Sequence, residues 1–220
     1  MNKIIITAVL FVFSTMSANA IDRDSFSVFS LTGGVAANTS VWGATAKNDE
    51  FDDTDTTITQ TDKEHGVFAE TFSSQFIELG IGKYISLGFE HTPDSISTPQ
   101  NVSNHENANG SEQKTSVDFN DVNTTYVKLN IPGGAYVKYG TVETDMDVKT
   151  TRSSYNDVSI SGTSTGAGYE KFIGESGFGV RIEANYIEFD NATSQDVATA
   201  LPGGNGKTVI KASNLEGASA

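Results

Sequence analysis

The stretch Ser74–His91, SQFIELGIGKYISLGFEH, constrains the rest of the chain more than any other. Ile77, Leu79 and Ile81 alternate with Phe76, Glu78 and Gly80; after Gly82-Lys83, Ile85, Leu87 and Phe89 alternate with Tyr84, Ser86, Gly88 and Glu90. Strand side chains point to opposite faces with period two, so each half has one apolar face and one polar or small face. Gly82-Lys83 reads as a two-residue hairpin turn. Each half is about 8–10 residues long, enough to cross a membrane as a tilted strand.

The unit recurs. Asn120 to Ile131 places Thr125, Val127, Leu129 and Ile131 opposite Tyr126, Lys128 and Asn130. Pro132-Gly133 turns the chain, with proline fixing φ at the first corner and glycine supplying positive φ at the second. Ala135 to Asp145 returns, and its phase blurs after Val142, as a bulge would make it. Ile160 to Phe172 and Phe178 to Phe189 flank a third turn, Gly174 to Gly177. Phe26 to Lys47 holds a first strand over Thr39–Lys47, with Phe26–Leu31 a separate short strand or a periplasmic lead-in beyond a bend at Gly33-Gly34, and Lys207 to Ala220 starts an eighth. Between these lie four polar segments: Asn48–Lys63, a loop or ragged strand extension, then Thr92–Asp118, Met146–Val158 and Asn191–Gly206.

The leader fits this plan. Met1-Asn2-Lys3 is basic, Ile4 to Phe13 is apolar apart from Thr7, and Ala18-Asn19-Ala20 has the form that signal peptidase accepts. Residues 1–20 are therefore expected to be a signal peptide and 21–220 one barrel domain. Beyond the leader no run of 18 apolar residues occurs, which excludes a transmembrane helix but not a membrane barrel. The chain has no Cys and carries 28 Asp plus Glu against 14 Lys plus Arg, a net charge of −14. Disulfide and thiol chemistry are absent, and so acidic a chain is a poor nucleic-acid binder.

The signal peptide, the even strand count and the alternation of three short turns with four long polar connections resemble the eight-stranded outer-membrane β-barrel class of Gram-negative bacteria. That class includes the OmpA membrane domain and OmpX. The resemblance implies an all-β, antiparallel up-and-down transmembrane barrel, with short turns in the periplasm and long loops outside. It implies outer-membrane lipid and lipopolysaccharide as surroundings, and the barrel-assembly machinery as a partner. An extracellular partner for the loops is expected but unspecified. Members of the class usually end in a strand with a terminal aromatic. This chain ends Glu216-Gly217-Ala218-Ser219-Ala220, with no aromatic after Phe189. The last strand is thus expected to be incomplete, the chain a fragment lacking about 8–10 residues, and its pairing with the first strand short.

A soluble barrel shows the same period with its apolar face inward, and stands as the alternative. Aromatics at strand ends favour the membrane: Tyr84, Tyr136, Phe172 and Phe178 near the turns, and Trp42, Phe89, Phe119, Tyr186 and Phe189 near the loops, as interfacial girdles. The polar face carries Glu78, Glu90, Lys128, Lys138, Glu170, Arg181 and Glu183. Charges inside a narrow barrel need partners, so these seven are expected to form an interior ion network. His65, His91 and His105 lack ligand spacing, and Asp49, Glu50, Asp52, Asp53 and Asp55 lack the glycine-centred turn of a calcium loop. Both groups read as solvated loop residues. Asn101-Val102-Ser103 and Asn191-Ala192-Thr193 match a glycosylation pattern that is inert in a bacterium. No cofactor or catalytic site is expected. A structural and surface-interaction role leads; a small porin-like channel and a rim-sited lipid-modifying enzyme are the alternatives.

Overall fold

A computed structural model of the chain describes residues 14–15, 29–52, 56–103, 113–150, 155–174, 177–195 and 208–220. Eight strands carry the architecture: β1 Phe29–Phe51, β2 Ile58–Ile81, β3 Ile85–Thr92, β4 Gln113–Asn130, β5 Ala135–Thr150, β6 Val158–Phe172, β7 Gly179–Phe189 and β8 Thr208–Ser219. Each pairs antiparallel with its sequence neighbour, and β8 pairs with β1 from Thr208↔Glu50 to Ser219↔Ser40, closing the ring. Short strands Ile96–Ser97 and Asn101–Ser103 add to β4, and Ala192–Gln195 adds to β8.

Three tight turns define the lower end. Ile81 pairs with Ile85, so the first connection is the three residues Gly82–Tyr84 rather than two, with φ of +63° at Gly82. Pro132–Gly134 carries φ of +99° at Gly133 and +101° at Gly134, and the third turn has positive φ at Gly174 and Gly177. These are left-handed positions that glycine adopts without a Cβ clash.

The upper ends reach much further than a loop reading of the acidic segment allows. β1 and β2 run 23 and 24 residues, paired from Phe29↔Ile81 to Phe51↔Ile58. At about 3.3 Å per residue that is roughly 75–80 Å of ribbon, where a spanning strand needs only about 9–11 residues. Asn48–Phe51 and Ile58–Lys63 are therefore strand, the extension alternative, and Gly33-Gly34 passes through β1 without a bend. The Thr92–Asp118 segment contributes two short strands and the first residues of β4, and β5 continues to Thr150.

The faces invert along these long strands. In β5 the inward residues hold even parity throughout: Tyr136, Lys138 and Gly140 below, then Val142, Thr144, Met146 and Val148 above. The outward residues change from Val137 and Tyr139 to Glu143 and Asp145. No bulge lies in β5 itself; the phase blur after Val142 is this inversion. The bulge sits on its partner β4, between Asn120 and Asn123, with φ of 52° at Asp121. It switches inward parity so that Val117 and Phe119 face in above it while Val127 and Leu129 face out below. A second bulge in β8, between Ser213 and Glu216 with φ of 50° at Asn214, does the same for Ile210 and Leu215. Below, the barrel is apolar outside and polar inside; above, it is built like a water-soluble barrel.

β8 pairs with β1 along its whole length, down to Thr39, which exchanges backbone hydrogen bonds with Ala220 at 2.8 and 3.0 Å. Below that level Phe29–Asn38 lean on β2, and Ser14–Thr15 pair with Gly179–Val180. The remainder of the expected signal peptide lies outside the described residues.

Candidate functional site

The interior has two storeys. The lower one is a charged plug. Glu78 of β2 takes ion pairs from Lys128 of β4 and from Arg181 of β7 at 2.9 Å, while Glu170 of β6 takes both of the same cations, at 3.1 and 2.9 Å. Lys138 of β5 bridges Glu90 of β3 at 3.1 Å and Glu183 of β7 at 2.5 Å. The structure thus brings all seven sequence-selected residues together, four carboxylates against three cations drawn from six strands. Glu78, Lys128 and Lys138 are buried, Glu78 at 2 % exposure and Lys128 at 3 %, and the other four are half-buried.

Two tyrosines complete the plug: Tyr126, from the polar face it was expected to share with Lys128, and Tyr136, which was expected in an interfacial girdle. Tyr126 donates its hydroxyl to Glu78 at 2.8 Å and Tyr136 donates to Glu183 at 2.5 Å. Their rings lie under opposite cations, Lys138 Nζ 4.7 Å from the Tyr126 centroid and Lys128 Nζ 5.0 Å from that of Tyr136. Arg181 stacks on Phe76 at 4.2 Å. Tyr136 is therefore a plug residue, 2 % exposed, and not part of an interfacial girdle. Glycines make the room: a Cβ at Gly88 would collide with the Tyr126 ring, and one at Gly168 with the Tyr136 hydroxyl. Above, Ser74 donates to Glu90 at 2.7 Å and accepts from Asn38 at 3.0 Å, which caps the network with neutral groups.

The upper storey is apolar. Trp42 stacks on Phe189 with centroids 6.1 Å apart, and Phe189 on Phe119 at 6.4 Å. Ile96, Val122, Val142 and Leu215 join this layer. All three aromatics are inside, so they too leave the expected girdle; Tyr84, Phe89, Phe178 and Tyr186 are the exposed members. Over the layer lies a cavity of about 430 Å³, walled by Phe68, Phe119, Met146, Val148, Ile210 and Leu215. Thr98, expected in an outer loop, lines this cavity, its hydroxyl accepting from Val117 N at 2.8 Å. The missed signal was in the sequence only on β5, where Val142, Met146 and Val148 fall out of step with Val137 and Tyr139; Val117 and Phe119 keep the phase of Val127–Ile131 and are turned inward by the bulge between them.

The remaining candidates are dispersed. His65 Nδ1 lies 2.8 Å from Thr45 Oγ1 and His91 Nδ1 2.9 Å from Asn123 Oδ1, in different parts of the wall; His105 lies outside the described residues. Asp49 is buried, not a solvated loop residue. It pairs with Lys47 at 2.8 Å and Lys211 at 3.3 Å and accepts from Thr61 at 2.7 Å. The Lys47 hydrogen bond, then that of Thr61, hold its carboxyl at about 2 against the 3.8 of an ordinary aspartate. Glu50 lies on β1, Asp52 caps the turn through Thr56 N at 3.0 Å, and Asp53 and Asp55 are outside the described residues. Among the described residues no group of three or more His, Asp or Glu is placed to hold a metal.

No family model and no curated protein matches the sequence. Among solved structures, the chain resembles the outer membrane protein OprG of Pseudomonas aeruginosa at 13 % identity and a TM-score of 0.51, over 84 % of this chain and 96 % of that one. A looser likeness, TM-score 0.34 at 10 % identity, covers 84 % of this chain and 99 % of Ail of Yersinia pestis, solved with the heparin analogue sucrose octasulfate. What the OprG likeness establishes is the fold, an eight-stranded, up-and-down antiparallel barrel of the outer-membrane type.

Proposed function

We propose that the protein sits in the outer membrane as a non-conducting barrel that receives a small apolar molecule from the outer side into its upper chamber. The observation that carries this reading is the division of the interior. An anchor needs a closed interior and nothing more; here the lower storey is closed by seven interlocked charges, yet the upper holds a cavity floored by Phe68, Phe119, Met146 and Leu215. Cavities lined by apolar groups stay dry and take apolar guests. An eight-stranded barrel has no room for a wide aqueous channel once side chains fill it, which disfavours the porin alternative.

The reading is tested with the protein in lipid nanodiscs and planar bilayers. N-phenyl-1-naphthylamine should gain fluorescence saturably with wild type and not with Ala212→Phe, which fills the chamber, and bilayers should show no steady single-channel current. Ohmic conductance, or probe uptake unchanged by the filled chamber, would count against it. A second reading, display of a polar surface to an extracellular partner, is favoured by the long β1–β2 ribbon standing beyond membrane height.

A further inference from the structure

We infer that the outer reach of β2 is a docking edge for an extended segment of an extracellular protein. The segment adds as an antiparallel strand, sets an apolar side chain into the chamber opposite Gly66, and sets a basic one against Glu64. This goes beyond the chamber reading above and does not depend on it. Thr39 exchanges backbone hydrogen bonds with Ala220, so the even residues of β1 bond to β2. Asn38 stands opposite Phe72 and Ser40 opposite Glu70, so the even residues of β2 bond back to β1. The odd residues of β2 turn N–H and C=O to the other edge. β3 pairs with that edge from Ile81 up to Gln75, and the Asp94 carboxylate accepts the N–H of Ser73 at 3.0 Å. Higher up, among the described residues, no strand pairs with it at Thr61, Lys63, His65, Val67 or Ala69.

A row of donors and acceptors repeating every second residue is matched by another extended backbone. Exposed edges are normally blunted by proline, bulges or charge; residues 61–69 contain no proline, no bulge and one lysine. The chamber reaches this edge. Residues of both strand faces line it, Glu64, Gly66 and Phe68 together with His65 and Val67, so its boundary there is the edge of β2. Val67 is 78 % exposed, and a Cβ at Gly66 would meet nothing within 4 Å, which leaves room for a side chain set opposite. Backbone bonds to β2 and a pocket for one side chain are the two parts of recognition by strand addition.

Charge selects the partner. Opposite charges attract across a strand pair and like charges repel. Glu64 lies on the chamber face of this edge, with Asp62, which also accepts from Gln60 at 3.0 Å, next on the same face. The favoured strand is basic opposite these positions and apolar opposite Gly66. A second copy fits worse: turned on itself about Gly66, the edge sets Asp62 against Glu70, and each chain carries a net charge of −14.

The experiment uses the protein in nanodiscs at physiological salt and follows the anisotropy of a fluorescein-labelled peptide, Thr-Val-Thr-Leu-Thr-Lys-Thr-Lys-Thr. In antiparallel register its leucine stands opposite Gly66 and its first lysine opposite Glu64. Wild type should bind it saturably. N-methylation at the third and fifth residues, whose N–H groups face Val67 and His65, should weaken binding at least about tenfold, while N-methylation at the second and fourth, which face away, should not. Val67→Pro removes a donor from the edge without touching the β1 ladder, and should fold, by heat-shifted gel migration, yet bind about tenfold more weakly. Glu64→Lys should weaken binding about threefold to fivefold. Ala212→Phe should reduce the leucine peptide to the affinity of its alanine counterpart. No saturable binding, or binding indifferent to Val67→Pro and to the position of N-methylation, would overturn the inference. So would indifference to Ala212→Phe, which denies the side chain its place in the chamber, or self-association of wild type that Val67→Pro abolishes, which gives the edge to a second copy.

Discussion

Arg181 shows what a single residue contributes to this barrel. Its guanidinium, 7 % exposed, joins Glu78 and Glu170, two carboxylates that would repel each other without a cation between them. Lys128 touches the same pair but occupies one point, whereas the planar guanidinium also sits over the Phe76 ring, 4.2 Å from its centroid. Replacing Arg181 by Met keeps most of the apolar bulk and strands charge in the interior. Equilibrium unfolding in lipid or detergent should show a loss of about 3–5 kcal/mol; an unchanged midpoint would mean the plug is hydrated rather than interlocked. Asp49 plays a comparable part higher up, where Lys47 and Lys211 face each other across β1 and β8 and would repel if it were neutral. With a folded-state value of about 2 and an ordinary value of 3.8, its contribution is complete above about pH 4 and is lost as pH falls through about 2. Asp49→Asn should therefore be less stable than wild type at pH 7, with the difference closing on acidification towards pH 2. A difference that stayed constant with pH would rule out the ionised pair as its cause.

At the scale of the strand, what matters is that one element serves two solvents. The lower halves were readable from sequence because Ile77–Ile81, Ile85–Phe89 and Val127–Ile131 keep a clean period of two, and that period has one meaning in lipid. The plug residues followed from the opposite phase. The upper halves were obscure for a physical reason: a bulge shifts parity by one residue, so Asp121 and Asn214 move the apolar residues of β4 and β8 from the outer face to the inner without changing their character. β5 needs no bulge and simply exchanges Val137 and Tyr139 outside for Glu143 and Asp145. Tyr136, Trp42, Phe119 and Phe189 look like girdle residues by position along the chain, and only the parity assigns them inward. Height along a strand should then decide what a charge costs. Ile182 and Val67 are both exposed apolar residues, at 47 % and 78 %. Val67 is ten positions above Ile77 on β2, beyond the apolar band, and Ile182 lies within it. Ile182→Arg should lower folding yield into liposomes, with a cost of about 2–4 kcal/mol, while Val67→Arg should fold as wild type does. Equal yields would place the band wrongly.

The whole molecule combines two construction rules in one closed sheet. Below, lipid demands an apolar exterior, and the narrow interior then has to neutralise its own charges, as Glu78, Glu90, Glu170 and Glu183 do with Lys128, Lys138 and Arg181. Above, water demands a polar exterior, and the apolar residues move inside to form the ring layer and the chamber. Membrane barrel and soluble barrel, which stood as alternatives for the sequence, describe the two ends of the same strands. The most direct measurement uses the absence of cysteine from the chain. Single Cys substitutions at Val137, Tyr139, Thr141, Glu143 and Asp145, all on the outward face of β5, can be spin-labelled in lipid vesicles and their collision rates with oxygen and with a water-soluble nickel chelate compared. Oxygen should dominate at 137 and 139, the chelate at 143 and 145, with the crossover near 141. Chelate access at all five positions, or oxygen dominance at all five, would contradict a wall that changes solvent partway up.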